Sequence, residues 1–283
     1  MAYRGRLAPT PTGHLHVGHA RTFALAAQRA REANGILIYR TEDLDTGRCR
    51  PEFAAAAIED LHWLGLKWSE GPDVGGPHTP YVQSLRLPWF RDVWQCLHAS
   101  GNIYPCDKSR KDVERCLSAP HTEDDAEPIF PTELRPSVGA GREAREPGAM
   151  NWRFRVPDGE SISFHDAIQG PQTFIAGKDF GDFLVWRKDG FPSYELAVVA
   201  DDHAMGVTEV VRGADLILST ARQLLLYRAL GWTSPAWAHA PLILDNNGKR
   251  LAKRTSGLSI RELRKNGYTP TEILSASMEN LQK

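Results

Sequence analysis

The first forty or so residues constrain the fold most tightly. "YRGRLA" reads as a short strand that ends at Pro9, and "ILIYR" as a second, fully buried one, β-branched and bounded by Gly35 and by charge. Between them Ala20, Phe23, Ala24 and Ala27 fall at helical spacing, and Gly35 supplies a stop. Strand, helix and strand in this order form a βαβ unit, which demands a parallel sheet and a right-handed crossover. Ligands of such sheets gather at the carboxyl ends of the strands. Here those ends carry "APTPTGHLHVGH" and "TEDLD".

His14, His16 and His19 crowd into six residues of the first of these ends. A metal site needs ligands that converge on one point, normally with a fourth Cys, His or carboxylate. Gly18 argues for another ligand. A glycine where a strand hands over to a helix lets a flat or charged group approach the backbone, and the helix N-terminus offers N–H groups to phosphate. Imidazoles beside it can donate to phosphate oxygens as charge builds in a phosphoryl-type transition state. Spacing therefore ranks a nucleotide first, scattered surface imidazoles second and a metal third.

Further along, "PEFAAAAIEDLHWLG" predicts a helix opened by Pro51 and closed by Gly65, and a second helix is expected from about Ser84 to Ser100, with Pro88 in its first turn. Residues 119–150 are rich in Pro, Gly and charge and predict an insertion with little regular structure. Strand patterns resume with "NWRFRV", "ISFHDAI" and "DFLVWRKDGFPSYELAVVADD", where Asp189–Gly190 marks a hairpin. "GVTEVVRG" is another strand, and "STARQLLLYRALG" a helix capped by Ser219 and ended by Gly231. A strand at "HAPLIL", a turn at Asn247–Gly248 and two closing helices complete the chain, the last with a capping box from Thr269 to Glu272.

With 283 residues, 41% of them hydrophobic and 24% charged, the chain can bury a sizeable core as one large or two modest domains. No run approaches the length of a membrane span and "MAYRGRLAPT" has no signal-peptide core, so no membrane partner and a cytoplasmic location are expected. Cys49, Cys96, Cys106 and Cys116 are scattered, which favours free thiols. A net charge of −1 excludes a generally basic nucleic-acid clamp. Seven Lys or Arg between Lys249 and Lys265 leave open a local phosphate-binding face or a merely solvated one.

"RLAPTPTGHLHVGH" resembles the R-x-A-P-S/T-P-T/S-G-x-L-H-x-G signature of glutamyl-tRNA synthetases and their shorter relatives, with "HVGH" standing for the HIGH motif of class I synthetases. "RTEDLD" resembles the next block of that family and "SYELAVVADDHAMGVTEVVRGADL" its central block, while "KRLAKR" stands where the KMSKS loop belongs. The blocks are in order and cover most of the chain. The fold implied is α/β: a Rossmann-like doubly wound parallel sheet, split by an inserted acceptor-binding subdomain and followed by a short helical tail. Residues 1–100 and 191–258 would form the two catalytic halves, 101–190 the insert and 259–283 the tail, with no anticodon-binding half.

The resemblance also implies roles. His16, Gly18 and His19 would receive ATP with its Mg²⁺, joined by Arg250 and Lys253 of the KMSKS-like loop, and His16, His19 and Lys253 would stabilise charge on the phosphates. The loop departs from the family at Arg250, in place of lysine, and Ala252, in place of serine. Arg6, Leu7, Ala8, Pro9, Thr10, Glu42, Tyr194 and Arg212 align with residues that hold glutamate. Either arginine could grip its side-chain carboxylate, and the sequence does not choose between them. Asp201, Asp202 and His203, expected after a strand, would stand behind this pocket.

Many relatives bind zinc through C-x-C and Y-x₃-C. Here only Cys106 remains, with Lys108, Phe130 and Leu134 at the other positions, so no zinc is expected. Cys116 and His121 lie nearby at the wrong spacing. The shorter relatives are the glutamyl-queuosine tRNA(Asp) synthetases, which implies L-glutamate, ATP and queuosine-bearing tRNA(Asp) as partners; the sequence leaves the oligomeric state open, with a monomer favoured. Rival readings are a glutamate activator with a tRNA 3′ end or a non-tRNA acceptor, and a catalytically silent RNA-binding paralogue.

Overall fold

The computed structural model describes residues 2–108, 129–242 and 259–275. Strand β1 (Arg4–Leu7) feeds helix α1 (Val17–Glu32) and returns as β2 (Ile36–Tyr39), parallel to β1 in the register Arg4↔Ile36 to Leu7↔Tyr39. This is the expected βαβ unit. Helix α2 (Pro51–Trp63) opens on Pro51, and α3 (Leu87–Ser100) ends at Gly101, whose φ of 76° lies in the left-handed region that a glycine tolerates. A 3₁₀ turn over Gln83–Arg86 occupies the start predicted for α3, so the helix begins three residues later than expected.

The second half builds β8 (Glu209–Gly213), helix α5 (Ile217–Leu230) and β9 (Ala236–Ala240), with β8 and β9 parallel. β5 (Ser161–Asp166) joins β9 where Asp166 pairs with Trp237, and β6 (Gly170–Ile175) folds back on β5 as a hairpin. β1 lies beside β8: the Arg4 N–H donates to Thr208 Oγ1 at 2.8 Å and the Thr208 N–H to the Arg4 carbonyl.

Alternate residues of these strands point to opposite faces, as the period of two requires. Ile38, Val210 and Trp237 join one core cluster with Phe90, Trp94 and Leu97 of α3 and Leu225 and Leu226 of α5. Tyr39, Val211 and Ala238 join the other with Ala20, Phe23, Ala26 and Ala30 of α1 and Leu61 of α2. Helices thus cover both faces of a mainly parallel sheet, which is the doubly wound architecture. A separate antiparallel sheet, β3 (Ile103–Cys106), β4 (Asn151–Phe154) and β7 (Phe183–Trp186), is ordered β3-β4-β7.

Two local expectations are corrected. "YELAVVADDHA" is not strand but helix α4 (Tyr194–Ala204), capped by Ser193. It is buried continuously from Glu195 to Asp202, so neither a period of two nor one of 3.6 shows in its pattern. Chain reversal at Asp189–Gly190 does occur, with Trp186 pairing to Pro192, but α4 then replaces the second strand. Ser219 does not cap α5; a 3₁₀ turn over Ala214–Leu216 leads in, and Ser219 lies within the first turn. The closing helices are α6 (Ile260–Lys265) and α7 (Pro270–Ser275), and the Thr269–Glu272 capping box is formed, with each residue's backbone N–H donating to the other's side chain. Of the segment 119–150, residues 129–150 are described and hold one 3₁₀ turn, Thr132–Leu134. The Asn247–Gly248 turn falls outside the described residues. Among the described residues no helix is long and apolar enough to cross a membrane.

Candidate active site

The mouth of the β1–α1 crossover is organised by two histidines and a glycine. His16 takes extended backbone as the N-cap of α1, and its Nδ1 accepts the Gly18 N–H at 3.1 Å. His19 Nδ1 accepts the His16 N–H at 3.4 Å, and the two rings lie 3.8 Å apart. An imidazole replaces the Ser-and-Glu pair of the usual capping box. With Nδ1 accepting in both rings, the neutral tautomers carry their protons on Nε2. A Cβ at position 18 would sit 2.9 Å from His16 Cε1, closer than packing allows. Gly18→Ala should therefore displace the His16 ring with little change in melting temperature, as ring chemical shifts beside thermal melts would show. His14 stands apart, edge-on to Phe53 at 5.1 Å.

Helix α6 meets this mouth. The Ile260 N–H donates to the Leu15 carbonyl at 2.8 Å, and Ser259 pairs with His16. Ser259, the first described residue after the KMSKS-like stretch, lies beside His16. Arg250 and Lys253 themselves lie outside the described residues.

The carboxyl ends of β1 and β2 are tied together: the Arg40 N–H donates to the Leu7 carbonyl and the Glu42 N–H to the Pro9 carbonyl. Leu7 and Pro9 are buried, Ala8 is half-buried and Thr10 is exposed. Around this seam the structure brings together Arg6, Glu42, Tyr194 and Arg212, close enough that both arginines and Glu42 perturb the Tyr194 phenol. Burial pushes that phenol up, with Arg212 opposing the shift.

Three arginines here differ in how fully they are occupied. Arg40 is wholly buried and spends its guanidinium on carboxylates: Glu42 at 2.8 Å, Asp202 at 2.7 Å and Asp201 at 3.8 Å. Burial pushes the Glu42 carboxyl up and Arg40 pulls it back. Arg212 is caged by neutral acceptors. Nε donates to His239 Nε2 at 3.0 Å, Nη1 to Gln223 Oε1 at 3.0 Å, and Nη2 to Thr220 Oγ1 at 2.8 Å and the Leu216 carbonyl at 3.2 Å. The Tyr194 hydroxyl lies 3.5 Å from Nη1, and the Trp237 ring lies 5.1 Å beneath the guanidinium. Arg6 is the least occupied. Among the described residues its one side-chain hydrogen bond runs from Nη1 to the Val211 carbonyl at 2.7 Å. Its Nε and Asp202 Oδ2 stand 3.6 Å apart, each buried without a hydrogen-bond partner.

Asp201 and Asp202 lie on α4 rather than after a strand, and both face arginines: Asp201 takes Arg86 Nε at 2.7 Å as well as Arg40. His203 turns away to stack on Trp232 at 3.8 Å. Sequence reasoning missed Arg40, Asp166, Gln223, Thr220 and His239. Arg40 alone left a trace, as a charge closing the buried strand "ILIYR".

In the inserted sheet, Cys106 packs with Tyr104 and Phe130 in an apolar cluster that Leu134 covers. Arg135 fastens the same segment through Asp182, at 2.7 Å from both Nε and Nη2, and Asp182 also accepts the Tyr104 hydroxyl at 2.5 Å. Apolar side chains at Phe130 and Leu134 offer no donor atoms, so the described residues do not fit a zinc ion. Cys116 and His121 lie outside the described residues.

Residues 2–279 match the family described as tRNA synthetases class I (E and Q), catalytic domain. The chain is 50% identical over 272 residues to a glutamyl-Q tRNA(Asp) synthetase of Symbiobacterium thermophilum, covering 95% of this chain and 84% of that one. It is 47% identical to a glutamyl-Q tRNA(Asp) synthetase of Nitratidesulfovibrio vulgaris, covering 95% and 83%. Its fold is similar to a crystal structure of a glutamate tRNA ligase from Elizabethkingia meningosepticum in complex with its amino acid, with a TM-score of 0.78 and 30% identity. That alignment covers 95% of this chain and 54% of the solved one, so the chain spans about half the length of that ligase.

Proposed function

The chain belongs to the class I tRNA synthetases (E and Q), and we propose that it activates L-glutamate with ATP and transfers it to queuosine at the wobble position of tRNA(Asp). The observation that carries this reading is an under-occupied Arg6 near enough to Glu42 to act on its carboxyl, on strand ends that lead in sequence to the mouth at His16, Gly18 and His19. Arg6 has N–H groups to spare and so grips the substrate's side-chain carboxylate, while Arg212, already bonded at Nε and both Nη atoms, contributes charge and shape. Neutral glutamine would leave that charge poorly paired, which selects against it. Glu42 accepts from the α-ammonium, whose charge adds to Arg40 in holding the carboxylate ionised.

In the first step an oxygen of the glutamate α-carboxylate bonds to the α-phosphorus of ATP as the bond to pyrophosphate breaks. His16 and His19 donate to the phosphates, and Lys253 and Arg250 offset the charge on the leaving pyrophosphate. Mg²⁺ bound to ATP would neutralise phosphate charge in this step. In the second step an acceptor hydroxyl attacks the glutamyl carbonyl, AMP leaves, and the hydroxyl proton passes to solvent. The antiparallel sheet β3-β4-β7 would hold the acceptor.

Transfer of labelled glutamate to tRNA(Asp) with and without queuosine tests the acceptor. Label that requires queuosine and stays with the anticodon fragment after nuclease cleavage supports this reading. Label on the 3′-terminal fragment would replace it with aminoacylation of the tRNA end.

A further inference from the structure

Arg212 reaches the pocket from β8, and everything that bonds it is uncharged. Such an arrangement keeps the full positive charge for a ligand but leaves the side chain without a carboxylate to fix it. What fixes it comes from two more strands. His239 on β9 is fully buried, and its Nε2 receives the Arg212 Nε–H at 3.0 Å, with the Thr220 hydroxyl 3.3 Å away. Its Nδ1 lies 2.5 Å from Asp166 Oδ2 on β5. Asp166 is itself fully buried and held ionised by the backbone N–H groups of Gln169, His239 and Ile168. These bonds and the imidazole outweigh the effect of burial and keep its carboxyl below its ordinary range.

The hydrogen-bond directions admit one arrangement. Arg212 can only donate, so Nε2 must present a lone pair; Asp166 can only accept, so the proton sits on Nδ1. An imidazolium would point N–H against N–H at Arg212. Burial, followed by the charge of Arg212, lowers the His239 pKa and favours this neutral form, with Arg6 adding to the effect and Asp166 opposing it.

We propose that Asp166 and His239 are positioning residues that hold Arg212 in register for the anionic side chain of the amino-acid substrate. The chain Asp166–His239–Arg212 runs across three adjacent parallel strands, β5, β9 and β8, and so transmits the rigidity of the sheet to a guanidinium at its edge. The inference rests on the glutamate reading given above. It predicts an effect confined to the amino acid, because in that reading ATP is received by His16, Gly18 and His19 at the start of α1.

The test compares His239→Leu with His239→Gln in glutamate-dependent ATP–pyrophosphate exchange. Leucine fills the space without an acceptor, and the KM for glutamate should rise about 10- to 100-fold, as expected for loss of a hydrogen bond to a charged group. The KM for ATP should stay within about threefold of wild type. Glutamine restores an acceptor near Nε2 and should recover most of the loss. Equal glutamate KM in wild type and His239→Leu, or parallel loss toward glutamate and ATP in both variants, would overturn the proposal. A wild-type enzyme without glutamate-dependent exchange would instead defeat the underlying reading. Should the variants not fold, nitrogen-15 shifts of the wild-type His239 ring decide: a protonated Nδ1 with bare Nε2 is expected, and the opposite tautomer or an imidazolium would refute it.

Discussion

Replacing Arg6 with alanine is expected to lower kcat/KM for glutamate by about 10²- to 10³-fold, the loss that follows from removing a charged partner in a desolvated pocket. The fall should be specific. Arg6 gives the protein one backbone hydrogen bond and a 3.6 Å ion pair to Asp202, which keeps Arg40 at 2.7 Å when Arg6 is gone, so the melting temperature should fall less than on loss of Arg40. Arg6→Lys keeps a charge but loses the planar fork, and recovery should be partial. Steady-state kinetics for glutamate and glutamine, beside thermal melts, separate these effects. A variant that lost glutamate and glutamine turnover equally would show that Arg6 does not read the side chain.

The second large effect is on folding. Arg40→Leu would leave Glu42 buried without its bonded cation and Asp202 with only Arg6 at 3.6 Å, while Asp201 retains Arg86 and Gln83. Breaking a buried charge network by removing one partner costs about 3–5 kcal/mol, and the melting temperature should fall by roughly 10 °C. The deficit carries a pH signature. Burial already holds the Glu42 pKa above its ordinary value with Arg40 present, and without its nearest cation the folded pKa climbs further above the unfolded one. Such a group binds more protons in the folded state, so stability is lost as pH rises and regained as it falls toward the carboxylate range. Melts from pH 5 to pH 8 should therefore show a deficit that widens with pH. A pH-independent deficit would point to lost packing alone.

The parts legible in the sequence are those where chemistry and neighbourhood along the chain coincide. β1, α1 and β2 follow from apolar spacing and from Gly35, and the capping box from Thr269 and Glu272 three residues apart. Helix α4 was hidden because a helix buried on every side has no polar face to reveal its period. The partners of Arg212 were hidden for another reason. Asp166 precedes His239 by 73 residues, and their adjacency is created only when β5 and β9 pair. Nor could the sequence choose between Arg6 and Arg212, since both are arginines at strand ends; the difference lies in how many acceptors the fold has already given each.

Glutamate activation by this chain alone is the step on which every later one depends. ATP–pyrophosphate exchange, measured without tRNA and with glutamate, glutamine or aspartate in turn, addresses that directly. Exchange with glutamate and not with the other two is the predicted result. Exchange that appears only after tRNA is added, or none under either condition, would contradict it.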